Sequence, residues 1–212
     1  MIKNLIWDVD GTLFDTYPAI VRSFQQALEG LGHTAGAAEV KDLALVSIQH
    51  CARQLAGHYG VDAVALEERF DDIYSAIPKA EQRPYPGVGQ VLAEVLARGG
   101  VNAIVTHRRR ASTEELLGVH ELRDLFSDIA AGDEGYPKKP APDAFHVILA
   151  RCQMDPAHTA TVGDRENDIR AGQAAGLVTC WFHGRQVSPP ADLVFEAYPV
   201  LSAYLGSPAG NA

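Results

Sequence analysis

Two carboxylates, Asp8 and Asp10, stand two residues apart directly after the apolar run Leu5-Ile6-Trp7, in the segment Asp8-Val9-Asp10-Gly11-Thr12-Leu13. Like charges about 4 Å apart repel by about 4 kcal/mol at an effective dielectric of about 20, so a proton, a cation or a basic side chain must compensate them. An Asp-x-Asp opening also begins turns and calcium loops. Here, however, Thr12 and Leu13 stand where a calcium loop places an oxygen ligand and a glycine, and a strand-like run comes first.

Further candidates for the same chemistry lie far along the chain. In Gly163-Asp164-Arg165-Glu166-Asn167-Asp168, two aspartates four apart open a helical run that continues through Ile169 and Ala174, a spacing that predicts one shared face. With Asp8 and Asp10 they form a set of hard oxygen donors suited to Mg²⁺. Lys139, in Lys138-Lys139-Pro140-Ala141-Pro142-Asp143, sits in a loop stiffened by two prolines, and Thr106 offers a hydroxyl after Val101–Val105. A fixed ammonium, a hydroxyl and a divalent cation describe a place for a phosphoryl group, whose transfer needs positioning and charge neutralisation above all.

These groups need elements that bring them together. Ile2–Trp7, Val101–Val105, Thr159–Val162 and Leu177–Trp181 read as short buried parallel strands, with Ser127–Ala131 as a weaker fifth. Helical patterns lie between them, carried by Val88, Val91, Leu92 and Val95 and by Phe145, Ile148 and Leu149. The alternation predicts an α/β fold with a doubly wound parallel sheet, Rossmann-like, in which ligands bind outside the carboxyl ends of the strands. Asp8, Asp10, Thr106 and Asp164 all fall there.

Between Asp15 and Arg83 the strand signal stops and apolar residues recur at helical spacing: Ile20, Phe24, Leu28, Leu31, then Leu66, Phe70, Ile73, Ile77. Residues 15–83 therefore read as an inserted helical domain, with 1–14 and 84–212 forming the α/β core. The segment 206–212 is small and polar and reads as a disordered tail.

The totals bound the function. Across 212 residues, 18 Lys and Arg against 27 Asp and Glu give a net charge of -9, which argues against nucleic acid or an anionic membrane as partner. Cys51, Cys152 and Cys180 lack metal-ligand or disulfide spacing, and no apolar run reaches the roughly 18 residues of a spanning helix. No export signal is evident, so a cytoplasmic protein is expected. Oligomeric state is not legible.

In order along the chain, Asp8-Val9-Asp10-Gly11-Thr12, Thr106, Lys139-Pro140 and Gly163-Asp164 with Asp168 resemble the motifs of the haloacid dehalogenase-like superfamily, in its helical-cap branch, which includes phosphoglycolate phosphatases and β-phosphoglucomutases. The resemblance implies that Asp8 attacks phosphorus to give an aspartyl phosphate, and that Asp10 protonates the leaving oxygen and then activates water. It implies Mg²⁺ held by Asp8, the Asp10 carbonyl and Asp164, with Asp168 a direct or water-mediated partner. Thr106, with backbone N–H groups around Gly11 and His107, would bind phosphoryl oxygens, and Lys139 would offset the charge shared by Asp8 and substrate.

The expected activity is a Mg²⁺-dependent phosphatase acting on a small phosphorylated metabolite. A phosphomutase using the same intermediate, or a non-catalytic binding protein on the same scaffold, are the alternatives. Lys138 competes with Lys139 for the lysine role. The basic run His107-Arg108-Arg109-Arg110 reads as a solvated loop before a helix capped by Ser112 and Glu115; the second possibility is that His107 or Arg108 faces the crevice and binds an anionic part of the substrate, with His107 the more open of the two. Ser47 and Gln49 interrupt an apolar helix of the inserted domain and could face substrate, whereas His50, His58 and Cys51 read as packing or surface residues.

Overall fold

The computed structural model describes residues 1–184 and 190–206. After strand β1 (Asn4–Trp7) the chain runs through four helices, α1 (Tyr17–Glu29), α2 (Ala37–Val46), α3 (Ile48–Tyr59) and α4 (Ala63–Ala76). It continues as α5 (Val88–Ala97), β2 (Asn102–Val105), α6 (Arg110–Val119), β3 (Ile129–Ala130) and α7 (Asp143–Arg151). The remainder is β4 (Thr159–Gly163), α8 (Glu166–Ala174), β5 (Val178–Phe182), β6 (Leu193–Phe195) and α9 (Tyr198–Gly206). Two compact units result, residues 1–14 with 84–212 and residues 15–83.

The first unit is a single parallel sheet in the order β3-β2-β1-β4-β5-β6. Its strands alternate sides with period two. Leu5, Trp7 and Ile104 pack on one face with residues of α5, α6 and α9, while Ile6, Ala103 and Val105 pack on the other with Phe145 and Ile148 of α7 and Ala171 of α8. Because both faces are covered, the central strands are buried and apolar apart from Asn4, Asn102, Thr159 and Thr161, which is why they are readable as short continuous runs. The chain moves outward from β1 through β2 and β3, then restarts on the other side at β4. That reversal makes the carboxyl ends of β1 and β4 a topological switch point, where the loops on either side diverge and leave a crevice.

Each expected strand is present to within three residues at either end. The Ser127–Ala131 strand shrinks to two residues, and the edge strand β6 and the helix α9 have no counterpart in the sequence reading. Gly206, expected to begin a disordered tail, closes α9; residues 207–212 of that tail lie outside the described residues.

The second unit has its own core. Ile20, Phe24 and Leu28 line one face of α1, and Phe24 stacks on Phe70 of α4 with ring centroids 4.1 Å apart. Ser47 caps α3 by accepting the His50 N–H at 3.0 Å, and Gln49 donates to Glu67 at 3.1 Å, so both have structural partners within the unit. Cys51 is buried in this core, and His58 pairs with Glu39 at 3.1 Å.

Candidate active site

Asp8 is the first residue beyond β1, and its N–H donates to the Val162 carbonyl of β4 at 2.9 Å, which fixes it at the switch point. The side chain is buried. Lys139 reaches it from the loop before α7, with Nζ 2.8 Å from Asp8 Oδ1, 3.1 Å from the Val105 carbonyl and in an ion pair with Asp168 Oδ1. Three ammonium donors thus meet three oxygens. Lys138, by contrast, is exposed.

Charge decides the protonation states here. Burial alone would raise the Asp8 carboxyl, but the charges of Lys139 and Arg165 and the Lys139 hydrogen bond outweigh it and hold Asp8 below its ordinary value. Burial likewise opposes a charged Lys139, and Asp168 and Asp8 overcome it, so the ammonium is held above its usual value. An ionised nucleophile candidate and a permanent cation lie in direct contact.

Asp164 stands in the turn after β4, ahead of α8, and Asp168 is the third residue of that helix, so the expected common helical face is corrected to a loop residue beside a helical one. The turn still brings them together. Oxygens of Asp8, Asp164 and Asp168 all lie within 4.8 Å of one another. Two contacts orient Asp164: the Thr12 hydroxyl donates to its Oδ1 at 3.2 Å, and Trp181 Nε1 donates to its carbonyl at 2.9 Å. Asp168 Oδ2 accepts the Arg165 N–H at 3.1 Å. Gly163 permits this turn, because a Cβ there would lie 2.2 Å from Asp168 Cβ.

The donor set fits a hard divalent cation. Three carboxylates converge, two of them buried, and Asp8 Oδ2 accepts no hydrogen bond among the described residues. Oxygen-only ligation of this kind suits Mg²⁺, Ca²⁺ or Mn²⁺ and is poor for thiophilic metals.

Asp10 faces the same crevice beside Arg108, whose Nε is 3.5 Å from Asp10 Oδ2. The Arg108 side chain is only 5% exposed, which corrects its reading as a solvated loop charge. The helix that follows begins at Arg110, not at a Ser112 cap: Ser112 lies inside α6, and Arg109 at the cap position makes no side-chain cap bond. Arg110 turns outward to Glu134, which also receives the Ala131 N–H and pairs with Arg151, bracing the loop that carries Lys139.

Thr106 is buried, and its Oγ1 accepts the Arg108 N–H at 3.1 Å. His107 points inward: its Nε2 accepts the Lys139 N–H at 2.9 Å. Burial and the Lys139 charge push the imidazole down to about 3, so it is neutral, with its proton on Nδ1 as that contact requires. Its side chain thereby positions Lys139. Gly11 adopts φ 76°, and its N–H donates to the Phe14 carbonyl at 2.9 Å; its contribution is the tight turn that presents Asp10.

Three contributors, Arg165, Thr12 and Tyr198, carry no assigned role in the sequence reading, and Arg108 has a place in the crevice only as its second possibility. Arg165 places Nη2 3.6 Å from Asp8 Oδ2, Arg108 reaches Asp10, Thr12 orients Asp164, and Tyr198 of α9 donates to the Thr12 carbonyl at 2.6 Å. Only Thr12 could have been found locally, as a hydroxyl within the first motif. Four carboxylates, Asp8, Asp10, Asp164 and Asp168, therefore face three cations, Lys139, Arg108 and Arg165. A divalent cation would turn a net anionic cluster into one that favours an anion.

The model of the haloacid dehalogenase-like hydrolase family matches residues 5–182. A phosphoglycolate phosphatase from Aliivibrio fischeri is 31% identical over 222 residues, covering 96% of each chain. One from Vibrio cholerae is 31% identical over 187 residues, covering 82% of this chain and 81% of its own. The crystal structure of CbbY from Rhodobacter sphaeroides in complex with phosphate superposes with a TM-score of 0.76 at 25% identity, covering 99% of each chain. Among the described residues no helix is long and apolar enough to cross a membrane.

Proposed function

The chain belongs to the haloacid dehalogenase-like hydrolases, and from that premise we propose that it is a Mg²⁺-dependent phosphatase that hydrolyses a small phosphorylated metabolite, phosphoglycolate or a compound like it, through an aspartyl phosphate. The observation that carries the reading is the double engagement of Asp8. One carboxylate belongs both to the oxygen triad and, at 2.8 Å, to the buried Lys139 ammonium.

On this reading an Asp8 oxygen attacks phosphorus, the bond from phosphorus to the ester oxygen breaks, and Asp10 gives its proton to that leaving oxygen. Water then attacks the acyl phosphate with Asp10 as base, which restores Asp8 and releases inorganic phosphate. Arg108 beside Asp10 Oδ2 holds that carboxyl in one orientation through both half-reactions. The Thr106 oxygen is fixed by the Arg108 N–H and can donate its own proton to a phosphoryl oxygen. Lys139, held by the His107 ring, keeps a positive charge beside the Asp8 carboxylate and the phosphoryl group it attacks. Mg²⁺ would be held by Asp8, Asp164, Asp168 and the Asp10 carbonyl, and would supply electrostatic stabilisation of the phosphoryl oxygens.

Residues 1–14 and 84–212 form the catalytic unit in this proposal, and residues 15–83 select the substrate. The names of the relatives support a phosphorylated small acid, and three unbridged cysteines support residence in the reducing cytoplasm. The test is phosphate release from a panel of phosphate esters that includes phosphoglycolate, with Mg²⁺ or with a chelator, for wild type and Asp8→Asn. Release that needs Mg²⁺ and disappears in Asp8→Asn is expected. Equal rates in the two proteins, or isomerisation of a sugar phosphate without release, would overturn the proposal.

A further inference from the structure

We propose that Arg165 is a phosphoryl-binding residue, its guanidinium donating to a non-bridging oxygen of the phosphoryl group held against Asp8. The inference rests on the phosphatase reading and adds a residue to which neither the motifs nor the fold assigns a role.

The geometry begins with the backbone. Arg165 immediately precedes α8 in an extended conformation, its N–H is tied to Asp168 Oδ2 at 3.1 Å, and the preceding carbonyl is held by Trp181 at 2.9 Å. Both flanks of the residue are therefore fixed at the mouth of β4. Ordering a long basic side chain against the protein forfeits rotamer entropy that it keeps in solvent. Arg165 turns inward nonetheless, with its side chain 15% exposed and Nη2 3.6 Å from Asp8 Oδ2.

Arg165 is the second cation at this carboxylate, and its charge joins that of Lys139 in holding Asp8 ionised. Lys139 already meets Oδ1 at 2.8 Å. What Arg165 adds is a planar fork on the Oδ2 side of the nucleophile, a shape that pairs with two oxygens of one phosphoryl group in a way an ammonium cannot. A reacting phosphorus must come within about 3–3.5 Å of the attacking oxygen. Arg165 Nη2 lies 3.6 Å from Asp8 Oδ2, next to the Oδ1 that Lys139 holds, so a phosphoryl group that approaches the carboxylate on its Oδ2 side brings its oxygens within hydrogen-bond reach of the guanidinium. Lys139 and Arg165 flank the carboxylate from its two oxygens, one compensating the nucleophile and the other receiving the group it attacks.

The probe is inorganic phosphate, the product, titrated calorimetrically into the full chain with Mg²⁺ present, for wild type, Arg165→Ala and Arg165→Lys. Mg²⁺ binding is measured separately for each. Loss of a charge-assisted contact predicts phosphate affinity about 10- to 100-fold weaker in Arg165→Ala, with Arg165→Lys between the two and Mg²⁺ affinity changed less than about threefold. Unchanged phosphate affinity overturns the inference. So does tighter Mg²⁺ binding with unaltered phosphate binding in Arg165→Ala, which would make the guanidinium a stand-in for the cation. If Arg165→Ala does not fold, the charge-retaining Lys variant and Arg165→Gln decide by the same criterion. Should wild type release phosphate from esters while Arg165→Ala binds phosphate normally, only this inference fails; should wild type neither hydrolyse esters nor bind phosphate, the phosphatase reading falls with it.

Discussion

Replacing Lys139 with methionine keeps most of the aliphatic length and removes one charge from between two buried carboxylates. At 2.8 Å the attraction to Asp8 is about 6 kcal/mol at an effective dielectric of about 20. Desolvation of the ammonium offsets part of that attraction. Breaking a buried pair by removing one partner therefore costs about 3–5 kcal/mol, a large share of the 5–15 kcal/mol that holds a typical domain. The sign of the pH dependence must also change. In wild type the Asp8 carboxyl sits below 3.8, so its contribution to stability is present above that value and is lost as the pH falls through the folded pKa. Without Lys139, burial, the largest influence on Asp8, is opposed chiefly by Arg165, and the folded pKa rises; the contribution is then lost as the pH rises through it. Urea unfolding in chelator should show Lys139→Met about 3–5 kcal/mol less stable at pH 7 and losing stability as the pH rises above 3.8. Adding Asp8→Asn should recover part of the loss, with a coupling of about 1–3 kcal/mol. Losses that simply add, or a Lys139→Met cost under about 1 kcal/mol, would refute the argument that the ammonium sustains these buried charges.

Thr12→Val keeps the shape of a fully buried side chain and deletes its hydrogen bond to Asp164 Oδ1; Mg²⁺ affinity measured by calorimetry should fall about 10- to 100-fold with the fold intact. Gly163→Ala forces a methyl to 2.2 Å from Asp168 Cβ, so the melting temperature should drop by the equivalent of about 1–3 kcal/mol and Mg²⁺ binding should weaken with it; an unchanged melting temperature would show that the turn yields freely. His107 is neutral in the fold down to about 3 but protonates near 6.5 when unfolded, so stability should fall by about 1.4 kcal/mol per pH unit between pH 6.5 and 3 from this residue alone. His107→Gln should flatten that slope in urea titrations at pH 4.5–6.5, and an unaltered slope would count against a buried neutral imidazole.

The parts of the site that could be read in advance are those whose chemistry is local. Asp8, Asp10 and Asp164 follow short apolar strands, and a parallel sheet must bring strand ends together at its switch point. Lys139 was legible because two prolines shape its loop. Arg165 was not, and Arg108 stood in the crevice only as the second of two readings, since the direction of a long flexible cation is set by partners more than a hundred residues away, or by Asp10 across a separate loop, and a run of basic residues looks the same whether it faces water or a carboxylate. The partner of His107 is equally remote, a backbone N–H 32 residues onward. Local brevity hid β6, whose three residues alternate in burial. The helix α9 has apolar residues on more than one side, with Val200 half exposed while Tyr198, Leu201 and Leu205 are buried, so its periodicity is faint. Tyr198 connects that helix to the site through the Thr12 carbonyl.

The chain as a whole carries a net charge of -9, yet the ligand proposed for it is a dianion. These facts are compatible only if attraction is short-ranged. At physiological ionic strength the field of surface carboxylates decays over about 8 Å, whereas charges inside a crevice are screened much less. Lys139 and Arg108 are buried and Arg165 nearly so, which places three cations where screening is weakest, against the four carboxylates of the crevice, and a divalent cation would tip that balance positive while most of the acidic excess lies outside it. A phosphate polymer would have to lie across that outer surface and meet its repulsion along its length, while a single phosphoryl group can enter the crevice and leave the rest of the field behind. Selection for small phosphates thus begins in how the sheet distributes charge, before any contact with the remainder of the substrate.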